Sequence, residues 1–246
     1  MGKSTMAILW LSGIFITGCA TYVTPGSRAE LDAFAPMSIR EGFERQPTSP
    51  FPASILAVRL QGGGYTNHNL GRTGGVYGGR GYSVVLTREV EEEEDFQRIR
   101  DLPKIDNVIS LNRMLVPDKL ESIDDLRVAA SRLRADLLLV YTFDTRFFRE
   151  DRSKPLTTFS LGLAPTRKVT ATTTASALLV DTRTGFIYGA IESTEVSDRN
   201  STSWGTREVA DKARVKNERT AFNSLIDAFE AVWGGILAQH GGDASQ

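Results

Sequence analysis

The segment Ala135 to Phe143 reads ADLLLVYTF, an almost unbroken apolar run. It follows a stretch, Asp118 to Arg134, in which Ile123, Leu126, Ala130 and Leu133 recur at helical spacing. A short apolar run directly after a helix predicts a central strand buried on both faces. Such a strand requires a sheet with helices packed against it. The fold class that follows is α/β (α+β), a mixed β-sheet flanked by helices. Ser122 is placed to cap the preceding helix, with Asp125 three residues on, close to a capping box.

The other elements fit that layered plan. Ala53 to Leu60 (ASILAVRL) reads as the first strand and Tyr82 to Val90 (YSVVLTREV) as the second. Between them, Gln61 to Gly81 is rich in glycine and matches neither phosphate-binding glycine motif, so it reads as a surface loop. Glu91 to Asp95 opens a helix, where carboxylates oppose the positive end of the dipole; a solvated helix start explains them without a cation site. Ile105 to Leu111 is a short strand. Val169 to Val180 and Phe186 to Val196 form a hairpin about Asp181-Thr182-Arg183-Thr184-Gly185, with glycine suited to a positive φ. Polar loops are expected at Arg149 to Pro155 and Ser197 to Gly205. Thr206 to Gln239 is a long helix or a broken pair, with Phe222, Leu225, Ile226, Phe229, Val232, Trp233, Ile236 and Leu237 as its apolar stripe. Gly234-Gly235 weakens it near its end.

Charge and residue counts narrow the function. With 29 Lys+Arg against 30 Asp+Glu, there is no basic excess to bind nucleic acid. One cysteine excludes an intramolecular disulfide and a cysteine-rich zinc site. The two histidines, His68 in the glycine-rich loop and His240 near the tail, read as surface residues, and no HExxH spacing exists. Acidic residues are plentiful, but nothing singles out a glycosidase-type pair. The expectation is therefore no catalytic residues, no metal site and no enzyme.

The N-terminus reads as a targeting segment. Lys3 gives a positive start, and Met6 to Ile16 is apolar but shorter than the roughly 20 residues that span a bilayer. Ile16-Thr17-Gly18-Cys19 follows, and the whole resembles a bacterial lipoprotein signal with its lipobox, isoleucine standing where leucine is commonest. The resemblance implies diacylglycerol on the Cys19 sulfur, cleavage before Cys19 and acylation of the new amine, with no other cofactor. Ala20 after the cysteine, by resemblance to Gram-negative lipoproteins, implies a lipid-anchored place at the outer membrane facing the periplasm. The expected organisation is residues 1–18 signal peptide, 19–52 lipidated tether, 53–239 α/β domain and 240–246 disordered tail. Pro25, Pro36, Pro47, Pro50 and Pro52 suit a tether.

Two further motifs carry a second resemblance. Ser131-Arg132-Leu133-Arg134-Ala135-Asp136 followed by Leu137-Leu138-Leu139-Val140 resembles the helix, alanine–aspartate, strand step of curli-export-like lipoproteins, penicillin-binding-protein activators and TolB N-terminal-like domains. Leu179-Val180-Asp181-Thr182-Arg183-Thr184-Gly185 resembles their valine-aspartate-x-x-threonine-glycine hairpin. Within that group the chain is similar to the rhombotarget lipoproteins. Some of them carry a C-terminal sorting tail; here Gly234-Gly235 and Gly241-Gly242 lack the membrane span and basic cluster that follow in such a tail.

The expectation is a membrane-anchored accessory or assembly factor that binds an envelope protein, or itself, without chemistry. The proposed contact surface is the glycine-rich loop with Tyr65, Arg72, Tyr77 and Arg80, since Tyr and Arg favour interfaces. The alternatives are a subunit of an oligomeric curli-like secretion assembly and a cell-wall hydrolase.

Overall fold

The computed structural model of the chain describes residues 28–29, 39–65, 75–78, 81–118, 120–151, 167–201 and 206–242. Among them, seven strands form one mixed sheet, and four helices accompany it. The fold class is the α/β arrangement read from the sequence.

β1 (Ala53–Gly62) is the pivot of the sheet. β5 (Leu137–Asp151) runs parallel to it on one side, from Ile55↔Leu137 to Arg59↔Tyr141. On the other side two strands share its length. β4 (Ile105–Ser110) runs parallel beside the first half, and β3 (Tyr82–Val85) runs antiparallel beside the second. β2 (Val76–Gly78) lies within the glycine-rich stretch and pairs with β3. β6 (Arg167–Asp181) and β7 (Ile187–Ser201) add antiparallel neighbours beyond β5. The sheet order is β2-β3-β1-β5-β6-β7, with β4 against β1.

Helices cover both faces. α2 (Glu93–Arg100) and α4 (Thr206–His240) pack on one face. There Phe96, Ile99, Phe222, Leu225, Ile226, Phe229 and Trp233 meet Ile55, Leu137, Leu139, Tyr141 and Leu179. α3 (Ile123–Arg132) covers the other, bringing Ile123, Leu126, Ala129 and Ala130 onto Leu56, Val58, Leu138, Val140 and Tyr82. Leu137, Leu138, Leu139 and Val140 are buried on alternating faces of one strand, as the apolar run predicts. Ser122 precedes α3, and its N–H donates to the Asp125 carboxylate at 2.9 Å.

Several boundaries differ from expectation, each for a pairing reason. The second strand ends at Val85, not Val90, because β4 takes the place beside Ala57 and β3 must leave the sheet. β5 runs on to Asp151 and β7 to Ser201, through segments expected to be loops. Beyond Phe143 the pattern alternates, with Thr145 buried between Asp144 and Arg146, and β6 pairs both neighbours throughout. α4 is one unbroken helix of 35 residues, about 52 Å long at 1.5 Å per residue, and it passes straight through Gly234-Gly235. Residues 45–52 pack on the domain: Arg45 reaches the Gly185 carbonyl at 3.3 Å, and the Phe51 ring contacts Tyr188 and Trp233. Ahead of them, α1 (Ile39–Glu44) buries nothing.

Candidate functional site

Arg59 sits inside the apolar run of β1 and is only 2% exposed. A guanidinium in that position must be paired. Its Nη2 donates to Glu218 Oε2 and to the Tyr65 hydroxyl, each at 3.3 Å. Nη1 lies 3.6 Å from Glu91 Oε1 and makes no hydrogen bond. The guanidinium carbon stands 4.6 Å from the centre of the Phe143 ring. α4 supplies the next layer. Arg214 Nη1 bonds Glu218 at 2.8 Å, its Nη2 reaches Glu89 at 3.3 Å, and its Nε reaches Asp211 at 3.1 Å. Thr145 donates to the second Glu218 oxygen at 3.2 Å, and the Tyr141 hydroxyl donates to Glu91 at 3.1 Å.

The electrostatics follow from burial. Burial pushes the Glu218 carboxyl above its ordinary value against the pull of Arg59 and Arg214, with Glu89 adding to the rise. Burial works against the Arg59 charge, but Glu91 and Glu218 outweigh it, and the guanidinium stays firmly protonated. Tyr141 is raised by burial and then by Glu91. Each carboxylate named here is engaged by a guanidinium or a hydroxyl. The arrangement is suited to clamping α4 and the 86–92 segment to the sheet. Beside it lies an open cleft of about 480 Å³, walled by Glu89, Glu92, Asp211, Lys212, Lys216 and Arg219.

This clamp takes up one of the expected contact residues. Tyr65 is 3% exposed and packs with Val85 and Val76, so its ring is inside the fold instead of on a contact surface. The Arg59 charge needs its hydroxyl there. Tyr77 on β2 is half-buried against the α3-side core. Arg72, Arg80 and Cys19 lie outside the described residues, as does His68. The acidic run is also only partly solvated. Glu91 and Asp95 are buried, and Arg219 of α4 reaches across to Asp95, to Glu92 at 2.9 Å and to the Val90 carbonyl at 3.1 Å. The His240 ring stands edge-on to Phe186 and Tyr188.

A second constellation surrounds Asp181 of the valine-aspartate-x-x-threonine-glycine turn, which is fully buried. Its Oδ1 accepts from the Arg183 and Thr184 N–H groups at 2.8 and 3.0 Å, closing the turn. Its Oδ2 accepts from the Thr48 and Ser49 N–H groups, both at 2.8 Å. The Ser49 hydroxyl lies 2.9 Å from Oδ2 and 2.8 Å from the Asp136 carbonyl, and Tyr188 donates at 3.2 Å. Burial alone would raise this carboxyl. The donors from Thr48, Thr184, Ser49 and Arg183 outweigh burial and hold it below the usual carboxylate range. Burial, with the Asp181 charge, pushes Tyr188 up to about 12.

The third feature is open. Beyond Thr142, β5, β6 and β7 form a ribbon whose one face is covered by α4. On its other face stand Thr170, Thr172 and Thr174 of β6, with Phe148 and Val196 each 62% exposed on the flanking strands. Among the described residues, β7 has no strand on its outer side. An unpaired edge of 15 residues is a template for an added strand.

Sequence reasoning missed Arg59, Arg214, Glu218 and the reach of Asp181. A signal for the first three exists. An arginine interrupts ASILAVRL, and Arg214 and Glu218 extend the Phe222 stripe backwards at steps of four. The partners of Asp181 lie 132 and more residues away in the arm, and no local pattern points to them.

No known protein family matches the sequence, and no curated protein matches it either. Among solved structures, the chain is similar to the crystal structure of lipoprotein GNA1162 from Neisseria meningitidis. The identity is 18% and the TM-score 0.28, over 67% of this chain and 96% of that one. Among the described residues, no helix is long and apolar enough to cross a membrane.

Proposed function

We propose that this chain is a lipoprotein of the cell envelope, anchored through acylated Cys19 at the outer membrane and facing the periplasm, in the manner of the rhombotarget lipoproteins. We further propose that it acts by binding another envelope protein, as an accessory or assembly factor without catalysis. The observation that supports this reading is the β5–β6–β7 ribbon. Among the described residues it combines a 15-residue edge on β7 that pairs with no further strand and a face on which Phe148 and Val196 are exposed. Backbone groups on a free edge supply affinity to an added strand, and the side chains on the neighbouring face supply selectivity. At the cleft Arg219 pairs with Glu92, and an exposed pair of that kind adds little to such contact.

Photoreactive residues at positions 148 and 196, introduced one at a time in living cells, test it. The expected product is a stoichiometric adduct with one envelope protein. Adducts only with further copies of this chain would favour the oligomeric secretion assembly. The absence of any protein adduct, together with turnover of peptidoglycan or an ester by the purified chain, would overturn the binding role in favour of a hydrolase. The mass of the peptide that begins at residue 19 tests the anchor independently.

A further inference from the structure

α1 buries no residue, yet it carries two large apolar side chains. Ile39 and Phe43 are each 83% exposed. At a spacing of four they stand one above the other on a single helix face. Arg40 and Glu44, at the same spacing, form a solvated pair at 4.0 Å beside them. α1 is therefore a short amphipathic turn whose apolar side has no cover in the fold. A helix of this length does not hold itself in water. Here its end is fixed from outside. The Arg45 N–H donates to the Glu41 carbonyl at 3.1 Å, the Arg45 guanidinium donates to the Gly185 carbonyl at 3.3 Å, and Asp181 holds Thr48 and Ser49 just beyond. Ile187, 42% exposed at the start of β7, adds a third open apolar side chain at this end of the sheet.

We propose that α1 is a membrane seat: Ile39 and Phe43 enter the boundary between headgroups and acyl chains of the bilayer that holds Cys19. The choice of a lipid surface as occupant rests on the lipid-anchored reading. Whatever path the chain takes, Cys19 and Ile39 lie at most about 70 Å apart at roughly 3.5 Å per residue, so the acyl chains keep α1 near a bilayer. Apolar side chains of a short amphipathic helix are stabilised at that boundary, while the Arg40–Glu44 side stays among the headgroups. The acyl chains supply the affinity, and α1 supplies orientation. Because Arg45, Thr48 and Ser49 tie α1 to the 181–185 turn, seating α1 turns that end of the sheet towards the membrane. Phe148 pairs with Thr170, which lies about 36 Å from Asp181 along β6 at roughly 3.3 Å per residue. The ribbon proposed to receive the partner then projects away from the bilayer that anchors the chain.

The test uses the full chain purified from membranes, with acylation of residue 19 read by mass, in vesicles of phosphatidylethanolamine and phosphatidylglycerol. A nitroxide is attached at Phe43→Cys in one sample and at Val196→Cys in another. Power-saturation electron paramagnetic resonance then compares collisions with oxygen, which concentrates in hydrocarbon, and with a nickel chelate, which stays in water. The expected oxygen-to-nickel ratio is several-fold higher at position 43 than at position 196. Adding Ile39→Asp to the Phe43→Cys chain should bring the ratio down to that of position 196, with melting of the domain unchanged because α1 buries nothing. Equal ratios at the two positions, a higher ratio at 196, or a label at 43 shielded from both relaxants, as contact with a second copy would give, overturns the seat. An acylated residue 19 with a water-exposed label at 43 overturns the seat alone and leaves the anchor standing. An unacylated residue 19, with the label at 43 still in lipid when Cys19→Ser is added, overturns the anchor and leaves the seat standing.

Discussion

Two buried charges dominate at the residue scale, and they respond differently to loss. Removing the Arg59 side chain leaves Glu91 in the interior with only hydrogen-bond donors and Glu218 with Arg214 as its remaining guanidinium, and breaking a buried pair from one side costs about 3–5 kcal/mol. Arg59→Met should therefore lower the urea midpoint sharply. Tyr65→Phe, which removes a single hydroxyl acceptor, should cost about 1 kcal/mol. Equal effects of the two variants would contradict the clamp. Asp181 has a pH signature as well. Its carboxyl is held below the ordinary value, so its contribution is fully present above the unfolded-state pKa and lost as pH falls through the lower native one. Between neutral pH and about pH 3, Asp181→Asn should flatten the acid-induced decline in stability. An unchanged acid limb in the variant would show that other carboxylates govern it.

At the element scale, α4 is held by two kinds of contact along its length. From Phe222 to Ile236 it buries large apolar side chains against the sheet. From Ala210 to Ala221 it buries alanines together with Arg214, Asn217 and Glu218. Asn217 fixes this part to the Ala171 carbonyl at 2.6 Å. Small side chains contribute little transfer energy, so the first half depends on the polar clamp. Amide exchange should be faster over residues 210–219 than over 222–233, and it should accelerate selectively there in Glu218→Gln. Uniform protection along the helix would argue against that division. The pair Gly234-Gly235 has open space at both Cβ positions and lies within the helix. Gly234→Ala and Gly235→Ala should each stabilise the domain by about 0.5–1 kcal/mol. By contrast, a Cβ at Gly81 would stand 3.0 Å from the Glu121 carbonyl oxygen, so the same change there should destabilise.

The whole molecule joins its arm to its hairpin turn, and that long-range contact sets where the folded unit begins. A chain starting at Ala53 leaves Asp181 without the Thr48 and Ser49 donors and uncovers Trp233 and Tyr188. It should be less stable than one starting at Ile39 by about 3 kcal/mol, comparable to losing hydrogen bonds to a buried charge, as thermal or urea unfolding would show. Equal stabilities would make the arm an ornament of the domain surface.

Periodicity and run length carried the layered plan. Leu137 to Val140 read as a strand covered on both faces, and the stripe from Phe222 to Leu237 read as a helix against that sheet. The turn at Asp181 to Gly185 was legible for the same reason, because Gly185 takes a φ of +73° that its lack of a side chain permits. These are local properties, written in spacings of two and three to four residues. The competition of β3 and β4 for the flank of β1, the burial of Tyr65 and the Arg59–Glu218 clamp were decided by tertiary structure alone. So was the capture of Ser49 by Asp181. Apart from the Arg59–Tyr65 contact, each joins groups far apart in sequence, and what makes each favourable is the loss of water around a charge or a strand edge, which exists only once the layers have closed.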